Sequence, residues 1–356
     1  MCNVNGGDSQ PHSRLPAHTL AQVTPHVLTM TATVLSPGFL TTVQDEGRSG
    51  FRDTGVSAGG ALDAHALRVA NLLVGNESSA AALEITLGGF RLRFENDRVI
   101  ALCGGAFDVR IGDLELPAGR PALARAGEEL VFDRSELGCR AWLAISGGVD
   151  VPVVLGSRST DLRSNFGGLH GRALRAGDAI PLGGNERRSR SLITMLETQR
   201  VAQWFAPAAW ATTTSPTPIL RVIRGGEWLR FEPEVRRLLR HEVFTVTPEA
   251  DRMGIRLEGP PLQYGGPELL SEAVSAGTIQ VPLSGQPIIL LPDCQTIGGY
   301  PKLAHVITVD LPLAAQLRAG DQVRFELVRL AEAHALLLER NRELALFRAA
   351  LALRTR

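Results

Sequence analysis

The stretch RLRFENDRVIALCGG, residues 91–105, indicates the fold class of this chain. It contains two short apolar runs, 91–95 and 99–105, separated by residues that favour turns. Runs of this length bounded by Asn, Asp and Gly are typical of β-strands. The same pattern recurs at LVFD (130–133) and AWLAISGG (141–148). The sequence therefore predicts a mainly β protein.

A short motif, Arg-Ala-Gly followed by an acidic residue, occurs at Arg125–Glu128, Arg175–Asp178 and Arg318–Asp321. Apolar residues follow each copy. In such a turn glycine supplies a positive φ, and Asp or Glu tolerates the bend into the next strand. The recurrence suggests that a barrel architecture is repeated along the chain.

Helical patterns are few. The segment 61–76 places apolar side chains on one face, and Asp63 lies near its start, as helix boundaries prefer. A second helix is expected from about Glu234 to the strand 243–247, and a third over about 329–352. The third has leucines seven residues apart, but the matching positions (Ala333, Arg340 and Phe347) are poor for a coiled coil. Packing on its own domain is therefore favoured over a contact between two copies.

The domain organisation follows from length and composition. A chain of 356 residues can hold two domains. Clustered Pro, Thr and Ser in the middle of the chain are typical of a linker. Patterned sequence begins directly after Met30, which is a candidate translation start. We predict a polar tail of the composition found in disordered segments (1–30), a first β domain (31–190), a linker (191–217), a second β domain (218–328) and a C-terminal helix (329–356).

Composition argues against several classes of protein. Lys+Arg and Asp+Glu both number 37, so no broad basic surface for nucleic acid or anionic membrane is expected. The 4 cysteines form no C-x-x-C pair and the 8 histidines show no metal-binding spacing, so no metal site is expected. No apolar run approaches the ~20 residues that span a bilayer, and the first residues lack a signal-peptide pattern. We therefore expect a cytoplasmic protein.

The segment 41–63 is the first candidate for chemistry. Gln44, Asp45 and Arg48 lie there among glycines that allow the backbone to turn sharply or to approach a ligand. A long hairpin loop in which Asp and Arg cap one another is one interpretation. A phosphate cradle is weakly supported, because the segment contains no phosphate-loop motif.

Two further segments carry arginine beside aspartate. In 155–174, Arg158 or Arg163 could hold a carboxylate through two parallel hydrogen bonds, or could pair with Asp161; the residues leave both open. In 247–262, Asp251–Arg252 precedes a glycine and a strand-like run. An Asp-initiated turn with a surface arginine is the favoured interpretation.

The segment 287–310 holds the most distinctive residues. Two apolar runs, 287–292 and 305–310, are predicted to be strands that support the loop between them. That loop carries these candidate site residues: Asp293, Gln295, Thr296, Gly298, Gly299, Tyr300 and Lys302.

Lys302 is the only lysine among 37 Lys+Arg residues. A bias towards arginine would empty solvated surface positions of lysine. A site that needs a compact amine able to lose its proton would keep one, because a guanidinium is planar and always charged. A desolvated lysine can act as a base or nucleophile. Chance placement of one lysine is the alternative.

Seven segments resemble the biotin-dependent carboxyltransferase-like family, also called the allophanate hydrolase subunit 2-like family. The resemblance covers about 33–326 in the right order. The segments are SPGFLTTVQDEGRSGFRDTGVSAGGALD, ANLLVGN, ALEITLGG, LGSRSTDLRSNFGGLHGRAL, DRMGIRLEGP, LLSEAVSAGTIQVP and QTIGGYPK. It implies two β-barrel-like domains of cyclophilin-like fold with a few short helices.

The resemblance also implies a function. It is nearest to the members that work with subunits B and A of an ATP-dependent 5-oxoprolinase, a hydrolase complex that opens 5-oxo-L-proline to L-glutamate; such a subunit is expected to be inactive alone. One alternative is a carboxyltransferase that acts on a biotin carried by another chain. Another is a non-catalytic regulator that binds a partner, as the kinase-inhibitor antagonist does.

The resemblance assigns provisional roles to the candidate residues. Lys302, Tyr300, Asp293 and Gln295 are expected to be catalytic. The expected substrate-binding residues are Gln44, Asp45, Arg48, Arg158, Asp251, Arg252, Thr296, Gly298 and Gly299. No stably bound cofactor is expected, and ATP would be used by the assembled complex.

The chain departs from the family pattern at two places. Cys294 stands where the family usually has arginine, and Cys103–Ala106 stands where it usually has a Thr-Gly-Ala-Asp-like run. There is also no Met-Lys-Met biotin-attachment motif. This chain is therefore not expected to carry biotin itself.

Overall fold

A computed structural model of the chain describes residues 30–212 and 217–354. The predicted tail, 1–30, lies outside the described residues except for Met30. The Met30 carbonyl accepts a hydrogen bond of 2.8 Å from the Leu182 N–H. Met30 therefore lies against the first sheet, just before its first strand.

The first sheet is built from alternating apolar and polar residues. In β4, for example, Phe90, Leu92 and Phe94 are buried and the arginines between them point outward. The sheet has nine strands: β1 (Thr31–Pro37), β2 (Leu40–Gln44), β3 (Ala82–Thr86), β4 (Phe90–Phe94), β5 (Arg98–Ile111), β6 (Leu114–Glu115), β7 (Ala122–Ala124), β8 (Glu129–Ile145) and β9 (Ala179–Pro181).

β8 organises this sheet. Its first part pairs with β4, its last part pairs with β3, and nearly all of it pairs with β5. The segments 130–133 and 141–148, predicted as separate strands, therefore lie largely in one strand. The β5–β8 register shifts between Gly104 and Val109, and bulges of this kind let a long strand bend from one layer of a fold to another.

The second sheet is a closed barrel in the order β10-β17-β14-β15-β12-β11-β18. It closes because β10 pairs in parallel with β18. Its strands are β10 (Ile219–Arg224), β11 (Phe244–Val246), β12 (Gly254–Glu258), β14 (Thr278–Gln280), β15 (Ile288–Leu290), β17 (Lys302–Val306) and β18 (Gln322–Leu327). A separate ribbon pairs β13 (Glu272–Ala273) with β16 (Ile297–Gly298).

Six α-helices complete the described fold: α1 (Ala64–Leu73), α2 (Arg187–Leu196), α3 (Ala208–Ala211), α4 (Pro233–His241), α5 (Leu311–Ala315) and α6 (Leu330–Arg354). The Asp63 side chain caps α1 by accepting a hydrogen bond from the Ala66 N–H. α1, α4 and α6 correspond to the three predicted helices. None of the helices in the described part of the chain is long and apolar enough to cross a membrane.

One apolar cluster joins the two sheets, while many other buried residues of the first sheet form a second cluster. Leu67 of α1, Trp142 of β8 and Phe325 of β18 belong to the shared cluster. The segment predicted as a linker contributes Leu192 and Leu196 to it. Residues of α1 and α2 therefore take part in the packing that holds the two sheets together. The predicted domain boundaries themselves stay a prediction.

The predicted fold class is confirmed: the chain is mainly β, with few helices and a C-terminal helix. The predicted strand at 305–310 is wrong in its bounds. β17 begins earlier, at Lys302, and ends at Val306. The chain then turns as a 3-10 helix at Thr308–Asp310, because the buried Asp310 carboxylate accepts hydrogen bonds from the backbone and guanidinium of Arg221.

Candidate functional site

A buried arginine lies where the two sheets meet. Arg252 precedes β12 and donates hydrogen bonds to both Asp293 oxygens, at 2.8 and 3.2 Å. It also bonds the Gly60 carbonyl at 2.7 Å and the Glu84 carboxylate of β3. The prediction of a surface arginine is therefore wrong, since Arg252 joins the first sheet to the loop that follows β15. Asp251 does form the predicted turn, by accepting hydrogen bonds from the N–H groups of the two residues after Arg252.

The positive charge of Arg252 and the negative charges of Glu84 and Asp293 stabilise one another. Burial opposes the positive charge of Arg252, but the Glu84 and Asp293 carboxylates keep its pKa above its usual value. Burial raises the pKa of Asp293, and Arg252 opposes that rise. Each group compensates a charge that would otherwise be costly to bury. The network is therefore a set of mutually dependent charges.

Asp45 fastens two glycine-rich loops together. Its carboxylate accepts hydrogen bonds of 2.5 Å from the hydroxyls of Ser157 and Ser159 and from the Arg158 N–H. The Arg158 guanidinium pairs with Asp150 at 2.8 Å, not with Asp161 as one interpretation of the sequence had it. Asp45 therefore positions the 155–174 loop beside the 41–63 loop.

The side chains of Gln44 and Arg48 lie between the 41–63 loop and the 155–174 loop. Gln44 is fully buried and donates to the Thr160 carbonyl at 3.2 Å. Arg48 is 2% exposed, stacks on the Phe166 ring at 4.5 Å from its centroid and donates to the Ser159 carbonyl. Burial lowers the pKa of Arg48, although three nearby carboxylates oppose this. These contacts tie both predicted binding residues to the 155–174 loop.

A cleft of about 640 Å³ opens between the first sheet and the barrel. It brings together Asp251, Arg252 and Asp293, three of the predicted site residues. Arg140 and Arg163 also line it, and much of the remaining wall is apolar. A partly apolar cleft with convergent charged groups is the usual form of a small-molecule site.

The lone lysine lies at the start of β17, close to the ribbon formed by β13 and β16. Lys302 is 8% exposed, and its Nζ lies 2.7 Å from Glu272 and 3.7 Å from Glu227. The Glu227 carboxylate also accepts the Lys302 N–H at 2.8 Å. Neither glutamate was among the predicted site residues. A Cβ on Gly225 would lie 2.1 Å from the Lys302 carbonyl oxygen, so glycine allows this close approach, but only the fold shows the need for it.

The remaining predicted residues lie on the segment that leads to Lys302. Gln295 and Tyr300 line a second groove, of about 530 Å³, on the outer face of the barrel. Lys302 itself lines neither this groove nor the cleft beside Arg252. The Tyr300 carbonyl accepts a hydrogen bond of 3.4 Å from the Gln280 side-chain amide. The Thr296 carbonyl accepts one of 3.1 Å from the Val274 N–H. The structure therefore brings Gln295 and Tyr300 together in one groove but does not bring them into the same pocket as Lys302 or Asp293.

The glycines of the QTIGGYPK segment allow this packing. Gly298 pairs with Glu272, and a Cβ on Gly298 would lie 2.8 Å from the Gln280 side-chain nitrogen. Gly299 follows directly and faces the 269–271 segment. A larger residue at 298 would require the end of the Gln280 side chain to move. Glycine at this position therefore allows the Gln280 amide to lie against β16.

Cys294, the departure from the family pattern, is fully buried with Val274 and Leu290. Burial raises the pKa of its thiol, and the nearby Arg52 opposes that rise. A buried thiol with a raised pKa is a poor nucleophile. Within residues 30–212 and 217–354, no group of three or more His, Cys, Asp or Glu side chains could hold a metal ion.

These features belong to a known class of protein. The chain is a member of the carboxyltransferase domain, subdomain A and B family, whose sequence model matches residues 54–327. Its resemblance to carboxyltransferase-like proteins is thereby confirmed. The chain is 40% identical over 301 residues to the C subunit of 5-oxoprolinase from Escherichia coli K12, covering 84% of this chain and 92% of that protein.

Two further relatives show how far the similarity extends. The C subunit of 5-oxoprolinase from Haemophilus influenzae is 38% identical over 82% of this chain and 89% of its own length. The crystal structure of the K. lactis urea amidolyase superposes with a TM-score of 0.80 and 29% identity over 89% of this chain. This chain spans only 20% of that larger protein.

Proposed function

We propose that this chain is a subunit of an ATP-dependent 5-oxoprolinase, in which it works with subunits B and A. The observation that carries the proposal is coverage. The chain extends over 92% and 89% of two proteins named as the C subunit of 5-oxoprolinase, but over a fifth of the urea amidolyase. Because the chain matches nearly the whole length of these two C subunits, the same role in the same kind of complex is the simplest interpretation.

The proposed reaction opens the lactam ring of 5-oxo-L-proline to L-glutamate. Water adds across the C–N bond: its hydroxyl goes to the carbonyl carbon and its hydrogen to the ring nitrogen. The assembled complex couples this step to hydrolysis of ATP to ADP and phosphate. A substrate with one carboxylate and one amide suits a site that offers cationic and amide side chains.

The proposed catalytic groups lie on one short segment, Asp293 to Lys302. Lys302 offers an ammonium group, Gln295 and Tyr300 offer hydrogen-bond donors, and Asp293 is a carboxylate of raised pKa beside the cleft. A donor that stabilises charge developing on the lactam oxygen would contribute most to the rate.

The proposed binding residues support this segment from two sides. Asp45, Arg48 and Gln44 fix the glycine-rich loops, and Arg252 fixes Asp293. We place the remaining binding candidates at the borders of the site: Arg158, Asp251, Thr296, Gly298 and Gly299. No stably bound cofactor is proposed for this chain, and the proposed location is the cytoplasm.

A second candidate function has a specific observation in its favour. The chain superposes on the urea amidolyase structure with a TM-score of 0.80 over 89% of its length, although the identity there is only 29%. This close geometric match favours a carboxyltransferase that acts on a biotin carried by another chain. The non-catalytic regulatory protein is the third candidate for the same fold.

Co-purification with candidate subunits A and B, followed by an assay of ATP-dependent glutamate release, tests the proposal. We expect no release by this chain alone and release by the three subunits together. Release without this chain would contradict the proposal. Transfer of the N-carboxyl group from carboxybiotin to an acceptor such as urea, with release of biotin, would instead support the second candidate, and partner binding with no turnover of 5-oxoproline would support the regulator.

A further inference from the structure

Lys302 contacts two carboxylates that differ in how firmly they are held. The Glu227 side chain is 11% exposed, whereas the Glu272 side chain is 65% exposed. The exposed glutamate makes the shorter contact, at 2.7 Å against 3.7 Å. The amine is thus hydrogen-bonded to the solvent-exposed partner and merely close to the buried one.

Glu227 is fixed by the backbone around it. Its carboxylate accepts the Lys302 N–H at 2.8 Å, and its own N–H donates to the Lys302 carbonyl at 3.3 Å. The neighbouring Gly225 N–H donates to the Leu303 carbonyl at 2.9 Å. Displacing Glu227 would therefore leave a buried N–H group without an acceptor, which is costly. Glu227 stays in place whatever binds Lys302.

Glu272 has few such restraints. It belongs to β13, a strand of two exposed residues that pairs only with the two residues of β16 among the described strands. The hydrogen bond to Lys302 lowers the pKa of Glu272, so this carboxylate is charged at neutral pH. Exposed ion pairs contribute little, because water solvates both partners well once they separate.

We propose that Glu272 occupies the position of a ligand carboxylate on Lys302, and that the carboxylate of the substrate replaces it there. This inference rests on the proposed function and adds the group by which 5-oxo-L-proline is held. An ammonium group has three hydrogens, so it can accept a new carboxylate as Glu272 withdraws. Gly226 lies beside the Lys302 side chain, where a Cβ would stand 3.8 Å from Cε, so no side chain of this residue competes for the amine.

The kinetic test uses the assembled complex. Glu272→Gln removes the competing charge but keeps the size of the side chain. We expect KM for 5-oxo-L-proline to fall about two- to five-fold, the range that corresponds to an exposed ion pair, while kcat stays within about two-fold. Glu77→Gln is the matched control, because Glu77 is also 65% exposed and pairs with Arg348 at 3.0 Å. An unchanged or higher KM for Glu272→Gln would overturn the inference.

A binding test does not depend on turnover. Lysine labelled with ¹³C at Cε gives one signal from this chain, since Lys302 is its only lysine. The labelled chain, assembled with unlabelled partners, is titrated with 5-oxo-L-proline, with acetate and with 2-pyrrolidinone, a lactam that lacks the carboxylate. We expect both carboxylates to shift the signal, more tightly in Glu272→Gln, and 2-pyrrolidinone to leave it unchanged.

The two tests separate the two proposals. If carboxylates shift the Lys302 signal but the wild-type complex releases no glutamate, the proposed function fails and the carboxylate site stands. If glutamate is released but neither carboxylate moves the signal, the proposed function stands and the exchange at Glu272 is wrong. An equal shift with 2-pyrrolidinone would also overturn it, because the carboxylate would then not be the group recognised.

Discussion

Two regions of this molecule use the same ingredients, one cation and two carboxylates, in different ways. Around Arg252, both carboxylates belong to largely buried side chains, and the guanidinium bonds each of them. Around Lys302, one carboxylate is buried and the other is mostly exposed. In the first arrangement the protein itself holds both carboxylates, so Arg252 joins the two sheets and fixes Asp293 beside the cleft. The second keeps one partner exchangeable, which is what a binding site requires.

We call Arg252 with Glu84 and Asp293 the closed region, and Lys302 with Glu227 and Glu272 the open region. The strongest test of the comparison is to remove the cation of the closed region. Arg252→Met should lower the free energy of unfolding by about 3–5 kcal/mol, because Asp293 would lose its bonded cation and Glu84 would keep only Arg140, at 4.0 Å. Urea unfolding monitored by circular dichroism measures the change. The exposed pair of Arg237 and Glu234 supplies the control, and Arg237→Ala should leave the midpoint within error.

A second variant keeps the test informative if Arg252→Met does not fold. Arg252→Met combined with Glu84→Gln and Asp293→Asn removes the uncompensated charges, so it should recover much of the lost stability. If the triple variant is no more stable than Arg252→Met, the loss comes from packing and not from unpaired charge. That result would break the comparison between the two regions.

The second test exchanges the cation of the open region. Lys302→Arg keeps the charge but replaces a compact amine by a planar guanidinium. We expect kcat/KM of the assembled complex to fall by about 100-fold or more, since a positioned group would be lost. A higher KM with little change in kcat would assign Lys302 to the carboxylate of the bound substrate, whereas equal falls in kcat and kcat/KM would assign it to the transition state alone. The isolated variant should unfold at an unchanged urea concentration, as expected for a change of function without a change of fold.

Reductive methylation gives an independent measurement on Lys302. The reagent modifies only this side chain and the N-terminal amine, because the chain has no other lysine. Modification that abolishes activity, and protection by substrate, would agree with a lysine in the site. Near-normal turnover of Lys302→Arg would assign the chemistry of the segment to Asp293, Gln295 and Tyr300.

The two regions also differ in how far the sequence predicts them. The lysine segment is predictable because its signals are local: a single lysine, a Gly-Gly turn and two flanking apolar runs within 287–310. The Arg252 network is not, because Glu84, Arg252 and Asp293 meet only when two sheets pack together. From its local sequence Arg252 has the pattern of a surface turn residue. No neighbouring residue predicts the two carboxylates that pair with it.

The same reasoning explains the smaller errors. Glu227 lies 75 residues before Lys302, so no local pattern links the two. The predicted strand at 305–310 extends too far because apolar periodicity continues past Val306, whereas the long-range bonds between Arg221 and Asp310 bend the chain. Local patterns therefore predict elements and loops, and partners that are distant in sequence decide which side chains are buried.

A third carboxylate gives the smallest and most specific test of the comparison. Asp63, at the start of α1, is buried and bonds the Ala66 N–H rather than a cation. Burial raises its pKa from 3.8 to about 6, with weaker opposing effects that include the charge of Arg340. Burial lowers the pKa of its neighbour His65 from 6.5 to about 4, and the charges of Arg340 and Arg68 lower it further.

The signs of the two contributions are opposite. Asp63 binds its proton more tightly in the folded chain, so its contribution to stability is complete below pH 3.8 and is lost as the pH rises through about 6. His65 binds its proton less tightly in the folded chain, so its contribution is complete above pH 6.5 and is lost as the pH falls through about 4. Between pH 4 and 6 the two therefore offset each other, and the wild type should show a shallow dependence.

Single variants should separate these contributions. In Asp63→Asn, which keeps a good helix cap, the free energy of unfolding should rise with pH over this window, because only His65 remains. In His65→Gln it should fall with pH, because only Asp63 remains. Each slope can reach at most about 1.4 kcal/mol per pH unit for one proton. If His65→Gln keeps the shallow dependence of the wild type, the pKa of Asp63 is not raised in the folded chain. A buried carboxylate in this protein would then not need a bonded cation to stay ionised, and the distinction between the closed and the open region would lose its physical basis.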